Sequence, residues 1–318
     1  MVKRRIRMKK ATMKDIARLA NVSVATVSYV LNDVKNQTIP EPTRESILQI
    51  AKQLNYVPNL VARSLVKQRT GLVGILINKT ADLPYWKRQS YLSLAANLEA
   101  RLTEAGYHTL LVSLNPEAPA MDIIRERKLD AVFVVDVRDD MFYRISANFT
   151  EGVPLILIGC LIGDPLFNQV NYNIPQALAA ALSVSQTSAC LVMEEHNNKA
   201  LAQWIIDQSG LPHELIHIVN DSADNRSTLE FFVEQHCDKH IIVINEFLAK
   251  EVERLAPGSA ISAVCTCGVP EILSAATRPI SFQNDRAALA YELMSLLSSG
   301  QPADSLKKQN HFWVDVLE

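Results

Sequence analysis

The chain has 318 residues, 48% of them hydrophobic and 21% charged, with a formal net charge of -2. That length allows two or three domains, and that balance is ordinary for a globular protein with a sizeable core. No apolar run reaches the about eighteen residues of a membrane span, and Lys14, Asp15 and Arg18 interrupt the start before a signal-peptide core could form. Cys160, Cys190, Cys237, Cys265 and Cys267 are odd in number and lack framework spacing, which fits a reducing cytoplasm. Cys265 and Cys267 form a C-x-C pair with no second pair and no nearby histidine, so buried thiols are expected there and not zinc ligands.

The small net charge hides an asymmetry. Residues 1–70 hold 14 Lys plus Arg against 4 Asp plus Glu, a net of +10, and the remainder carries 18 against 30, a net of -12. A basic head on an acidic body implies nucleic acid or another anionic surface as the partner of the head. Six of the first ten residues are Lys or Arg. This is a basic arm over 1–11 that lies along phosphates, or Met8 is the true start; the sequence leaves both open.

From Thr12 the chain reads TMKDIARLANVSVATVSYVLN. Thr12 and Asp15 are spaced as a capping box that satisfies the free N–H groups of a helix start. Ile16 and Leu19 place an apolar stripe on one face of that helix, and Asn21 suits the turn after it. Ser23 is a fitting N-cap for a second helix that runs to about Leu31 with Val27, Val30 and Leu31 inward. Two short helices across a tight turn predict a helix-turn-helix. A third helix is predicted over TRESILQIAKQLNY, with Ile47, Ile50, Ala51 and Leu54 at helical spacing. The exposed face of the second helix carries Ser23, Val24, Ala25, Thr26, Ser28 and Tyr29. Small side chains let a helix sit deep in a major groove, where hydroxyls reach phosphates or base edges and Val24 and Ala25 can meet a thymine methyl. Helical packing against a protein is the competing reading, and the charge and the small-residue face argue against it. After Pro58, Asn59 can cap a short helix to about Val66, too short to stand alone and suited to fold on docking.

Further along, aliphatic runs alternate with helical patterns. Strands are expected at Leu72–Ile77, Thr109–Val112, Ala131–Val135, Leu155–Gly159, Ala189–Met193, Leu215–Val219, Ile241–Ile244 and Ile261–Val264. Helices are expected at Tyr91–Ala105, a short one near Ile123–Arg127, then Lys199–Ser209, Leu229–His236, Phe247–Leu255 and Asp285–Ser298. This alternation predicts two α/β lobes with parallel sheets and a small-molecule cleft between them at the carboxyl ends of the strands. The seven histidines are scattered, His236 and His240 stand in no HExxH arrangement, and there is neither a glycine-rich phosphate loop nor G-x-S-x-G. No enzyme and no cofactor or metal is expected.

Three stretches, MKDIARLANVSVATVSYVLN, TRESILQIAKQLNYVPNLVARSL and TGLVGILI, lie in order from Met13 onward and resemble the DNA-binding end of the LacI/GalR family of bacterial repressors. A weaker resemblance continues to the end. It implies a helix-turn-helix domain over 12–57, a hinge helix and linker over 58–70, and a periplasmic-binding-protein-like body over 71–318. The first lobe would comprise about 71–168 plus 284–300 and the second about 169–283 plus 308–318. The long helix near 285–298 would return to the first lobe and Trp313–Asp315 to the second. The resemblance makes the second helix the reader of the major groove, with operator choice at Val24, Ala25 and Tyr29, and adds Asn32 and Asn59 to the DNA-binding set. It places Leu65 as the wedge at the centre of the operator, flanked by Ala62 and Arg63. An apolar wedge unstacks a base step and bends the duplex onto more protein surface. Where many members carry an arginine this chain has Tyr29, so the half-site should differ there.

The resemblance further implies an effector between the lobes and a homodimer on a double-stranded operator. Tyr85 and Trp86 survive from the family's aromatic loop. Asn198 stands where an arginine commonly grips ligand oxygens, and Leu201 where a glycine follows. Asn245-Glu246 replaces Asn-Asp, Cys265-Thr266-Cys267 replaces Gly-Phe-Asp, and Tyr172-Asn173 replaces Asp-Asn. Losing polar partners costs a sugar its selectivity, so a simple pyranose held in the usual way is not expected. The effector candidates are Tyr85, Trp86, Asn198, Asn245, Glu246 and Gln283. The alternatives are control by a partner protein, or an architectural DNA binder that has lost ligand control. A periplasmic solute-binding protein has similar lobes, and the basic head argues against it.

Overall fold

The computed structural model describes residues 11–31, 34, 37–54, 56, 69–80, 83–149, 152–183, 188–220, 225–299 and 310–317. Asn32, Asn59, Ala62, Arg63 and Leu65, the arm over 1–10 and the predicted hinge helix lie outside them. The chain divides into a head, residues 1–68, and a body, residues 69–318.

In the head, α1 (Met13–Ala20), α2 (Val24–Leu31) and α3 (Glu41–Gln53) close over a small core. Thr12 and Asp15 form the capping box: the Thr12 backbone N–H donates to the Asp15 carboxylate at 2.9 Å, and the Asp15 N–H donates to the Thr12 hydroxyl at 3.4 Å. Asn21 ends α1 in the left-handed region at φ 51°, which Asn tolerates better than most side chains. The core is Ile16, Ala17, Val27, Val30, Ile47 and Ala51, with Leu31, Ile50 and Leu54 packed at its margin. Leu19 is a correction: it is half exposed, and Ala17 takes the inward position. Three residues advance a helix by about 300°, so with Ile16 pointing straight into a shallow core Leu19 falls at its rim.

The body has two parallel sheets. The first, in spatial order β11-β5-β4-β3-β1-β2, uses β1 (Leu72–Asn78), β2 (His108–Leu114), β3 (Ala131–Val135), β4 (Leu155–Ile158), β5 (Asn168–Tyr172) and β11 (His311–Val314). The second, β10-β9-β8-β6-β7, uses β6 (Ala189–Glu194), β7 (Ile216–Val219), β8 (His240–Ile244), β9 (Ile261–Val264) and β10 (Arg278–Ile280). β3 and β8 are buried along their whole length, as central strands covered on both faces must be, so they read as unbroken aliphatic runs. The central register pairs Ile75 with Phe133 and Val192 with Val243.

The helices are α4 (Tyr85–Glu104), α5 (Asp122–Arg125), α6 (Phe142–Ser146) and α11 (Arg286–Ser299) on the first lobe. On the second they are α7 (Ile174–Leu182), α8 (Lys199–Ser209), α9 (Asn225–Gln235) and α10 (Glu246–Leu255). α4 starts six residues before the predicted Tyr91, because Pro84 at its N-cap launches it and Lys87, Ser90 and Tyr91 are buried. α6, α7, β5, β10 and β11 were not expected. β5 sets Val170 among Asn168, Gln169 and Asn171 and reads as polar, although Gln169 and Asn171 are buried.

β5 and β11 also correct the lobe boundaries. Both strands belong to the first sheet, where His311 pairs with Gln169 and Val314 with Tyr172. The chain therefore crosses to the second lobe at Asn173, and Trp313 and Val314 stay in the first. Only Asp315–Leu317 reach the second lobe. There the Val316 N–H donates to the Gln176 side chain at 2.9 Å and the Leu317 N–H to the Ser281 carbonyl at 2.8 Å.

Candidate functional site

The head presents α2. With Val27 and Val30 sealed in the core, helical periodicity turns Val24, Ala25 and Tyr29 outward; Val24 is 41% and Tyr29 37% exposed. The Ser23 hydroxyl accepts the Thr26 N–H at 3.0 Å and lies 2.8 Å from the Thr26 hydroxyl. Ser23 and Thr26 thus cap the helix and hold its start rigid, and Ser28 is half-buried beside them. Thr12 is exposed with its hydroxyl committed to the capping box. Among the described residues of the head, the exposed cations are Lys14, Arg18 and Lys52, and Arg44 lies 3.8 Å from Glu41.

The body holds a second site where the lobes meet. β3, β4 and β6 end there, and their last residues turn toward the gap. Tyr91 donates its hydroxyl to Asp136 at 2.6 Å, and Lys87 from α4 reaches the Glu195 carbonyl of the other lobe at 2.6 Å and lies 3.8 Å from Asp136. Asn197 donates to the Asn78 carbonyl at 2.7 Å, and its backbone N–H donates to Asp136 at 3.1 Å. Tyr85 and Phe247 meet edge to face across the lobes, with ring centres 5.5 Å apart.

Behind these contacts lie two small adjoining hollows with volumes of ≈30 and ≈40 Å³, which share Glu194, His196 and Arg286 as walls. Burial pushes the Glu194 carboxyl up to about 7, against the pull of the Lys87 ammonium. Burial pushes the His196 imidazole down to about 4. The Arg286 guanidinium lies 4.8 Å over the Tyr172 ring. Gly159 makes this possible: a side chain there would come within 2.9 Å of the guanidinium, and φ is +70°. Five buried polar atoms on this wall have no hydrogen-bond partner: Glu194 Oε2, His196 Nε2, Arg286 Nε, Asn171 Oδ1 and Thr266 Oγ1.

The six predicted effector residues divide differently. Asn198 is fully buried and saturated. Its Oδ1 accepts from Leu161 N–H at 3.0 Å and Leu201 N–H at 2.8 Å, and its Nδ2 donates to Val137 and Leu161 carbonyls and to Asp139. It clamps the lobes together, with its amide engaged by protein groups and not turned to the cavity. Asn245 caps α10 through the Phe247 N–H at 2.9 Å. Glu246 is fully buried, and its carboxylate accepts the N–H groups of Cys267 at 3.0 Å and Val269 at 2.9 Å. Gln283 is exposed at the crossovers, its N–H donating to the Asp315 carbonyl at 2.9 Å. Trp86 packs against the second lobe's core with its indole N–H unpartnered, and Tyr85 is exposed. Lys87, Asp136, Glu194, His196 and Arg286 were missed. The available signal was a charged residue closing an aliphatic run, as in Val134-Val135-Asp136 and Val192-Met193-Glu194, because ligands in parallel α/β sheets meet the carboxyl ends of strands.

Four of the cysteines are buried and Cys237 is exposed; all are free thiols. Among the described residues no group of three His, Cys, Asp or Glu is placed to hold a metal ion, and no helix is long and apolar enough to cross a membrane.

This combination defines the class: a helix-turn-helix head in front of a two-lobed body of the periplasmic-binding-protein type. The family described as "Bacterial regulatory proteins, lacI family" matches residues 12–59. The head therefore matches the DNA-binding segment of that family, while the body is divergent. Among curated relatives it is 26% identical over 226 residues to the transcriptional repressor PurR of Photobacterium profundum, covering 62% of this chain and 65% of that one. It is 34% identical over 141 residues to the regulator RegA of Clostridium saccharobutylicum, covering 42% and 40%. The matched segments thus span less than two thirds of these relatives. Among solved structures, the Lac repressor bound to ONPG in the repressed state superposes with a TM-score of 0.71 at 17% identity, covering 98% of this chain and 99% of that one. This last likeness is one of fold.

Proposed function

We propose that the chain is a sequence-specific DNA-binding transcriptional regulator of the cytoplasm. In this reading it is a homodimeric repressor that binds a pseudo-palindromic operator and is controlled by an atypical small molecule between its lobes. The observation that carries the reading is α2, whose small-residue face turns outward from a closed core within the segment that matches the family. Two heads related by a twofold axis suit two half-sites. Similar proteins support the reading: one solved relative is a Lac repressor dimer bound to operator and an anti-inducer, and another is a Cra regulator from Pseudomonas putida in complex with fructose 1-phosphate.

Val24, Ala25 and Tyr29 read the groove, Ser23, Thr26, Ser28, Thr12, Asn32 and Asn59 hold the backbone, and Leu65 wedges the centre beside Ala62 and Arg63. Selection of bound fragments from genomic DNA by the full-length protein tests this. A pseudo-palindrome with a kinkable central step, lost in Leu65→Ala and altered at one base pair by Tyr29→Arg, supports it. An absence of any enriched site counts against it.

A second reading has its own observation. Lys87, Asn197 and Asn198 bridge the lobes directly, as a DNA binder without ligand control, or one answering to a partner protein, would require. Operator affinity that no small molecule changes, with the selected site intact, would favour it.

A further inference from the structure

We propose that the interlobe cavity binds a small aliphatic zwitterion of the amino-acid type, its carboxylate held by Arg286 and its ammonium by Glu194. The inference rests on the reading of the cleft as the effector site and specifies its chemistry.

Opposite charges face the cavity without neutralising each other. Among the described residues, Glu194 and Arg286 form no ion pair, although both line both hollows. Each keeps a buried atom without a partner, an acceptor oxygen on Glu194 and a donor N–H on Arg286. A buried polar atom left unpaired costs free energy that a ligand recovers. Asn171 Oδ1 adds a further idle acceptor on the same wall. The other charges nearby are already engaged. Lys87 donates to the Glu195 carbonyl and stands beside Asp136, and Asp136 accepts from Tyr91 and Asn197.

The rest of the wall is aliphatic. Ile174, Leu201, Ile205 and Ile244 line the hollow next to Arg286, which suits a short apolar side chain. The two volumes, ≈30 and ≈40 Å³, leave room for roughly five water-sized groups, the scale of a small amino acid and less than a pyranose needs. An ammonium is also the partner that a buried carboxyl lacks. Glu194 faces Lys87 from α4, Asp136 after β3, His196 after β6, Arg286 from α11, Asn245 before α10 and Cys267 after β9, and these leave it near 7. Below that value it takes up a proton and loses its attraction for ammonium.

The test is calorimetric titration of the full-length protein with free alanine, valine and leucine. Isobutylamine and isovalerate serve as matched compounds lacking one charge, and glucose and adenine as ligands of other classes. At least one amino acid should bind saturably, with the amine and the acid each about tenfold weaker or worse, since each forfeits a charge-assisted hydrogen bond. Affinity should fall about tenfold per pH unit below 7, because the free ligand does not titrate there and the protein must release a proton. Glu194→Gln should flatten that dependence. If Glu194→Gln does not fold, the matched compounds still decide. Isovalerate binding as tightly as valine, or silence of all three amino acids at millimolar concentration, overturns the inference. If glucose or adenine binds while the amino acids are silent, the zwitterion is wrong and the cleft remains an effector site. Operator binding measured on the same preparation reports separately on the regulator reading.

Discussion

At the scale of single residues, Asn198 ties the two lobes together through one buried amide. Its amide satisfies the loop after β4, the loop after β3 and the start of α8 together, with no exposed surface. Asn198→Ala would leave several buried groups without partners. It should cost about 2–3 kcal/mol in urea denaturation, and Asn198→Asp should restore only the two bonds in which the oxygen accepts. Glu194 and His196 carry opposite pH signatures. The Glu194 carboxyl rises from 4.5 to about 7 on folding, so its stability contribution is complete below 4.5 and is lost as pH rises toward 7. His196 falls from 6.5 to about 4, so its contribution is complete above 6.5 and is lost as pH falls toward 4. The two slopes oppose each other across the shared window. The wild-type protein should be nearly flat there by thermal melting. Glu194→Gln should become more stable as pH rises, and His196→Gln less stable, by about 3 kcal/mol over the window.

At the scale of elements, the head is the part with least to spare. Six buried side chains close it, and Ile47 is fully enclosed among them. Ile47→Ala should cost about 2–5 kcal/mol, enough to unfold a domain of this size, where little apolar surface is buried per residue. We expect operator binding to vanish while the body's unfolding transition stays within a degree or two of the wild type; thermal denaturation followed by tryptophan fluorescence checks this, since Trp86, Trp204 and Trp313 all lie in the body. Stretches with one strong local pattern were legible: the capping box of α1, the αL turn at Asn21, and central strands such as Ala131–Val135. β5 was not, because Asn168-Gln169-Val170-Asn171 reads as a polar loop. Gln169 is buried only because its side chain bonds both backbone groups of Ile162, at 2.7 and 2.8 Å. β10 is three residues long and carries Pro279, which the edge of a sheet tolerates and a pattern search passes over.

At the scale of the whole molecule, residues 1–70 with a net charge of +10 precede a remainder with -12. DNA attracts one and repels the other, so affinity should fall steeply with salt, by ~10³-fold or more between about 50 and 200 mM. Fluorescence anisotropy on a selected operator measures it, and a slope near zero would contradict a phosphate-contacting head. The sequence by itself determined the order of parts, the helix-turn-helix with its outward face, and the alternation of strands and helices, because capping, turns and hydrophobic period are local. Only the tertiary structure decided the lobe boundaries and the site. β11 is placed by pairing with β5 some 140 residues earlier. Lys87, Asp136, Glu194 and Arg286 converge from four separate elements. No spacing encodes such a meeting; it arises because every parallel strand delivers its carboxyl end to the same side of the sheet.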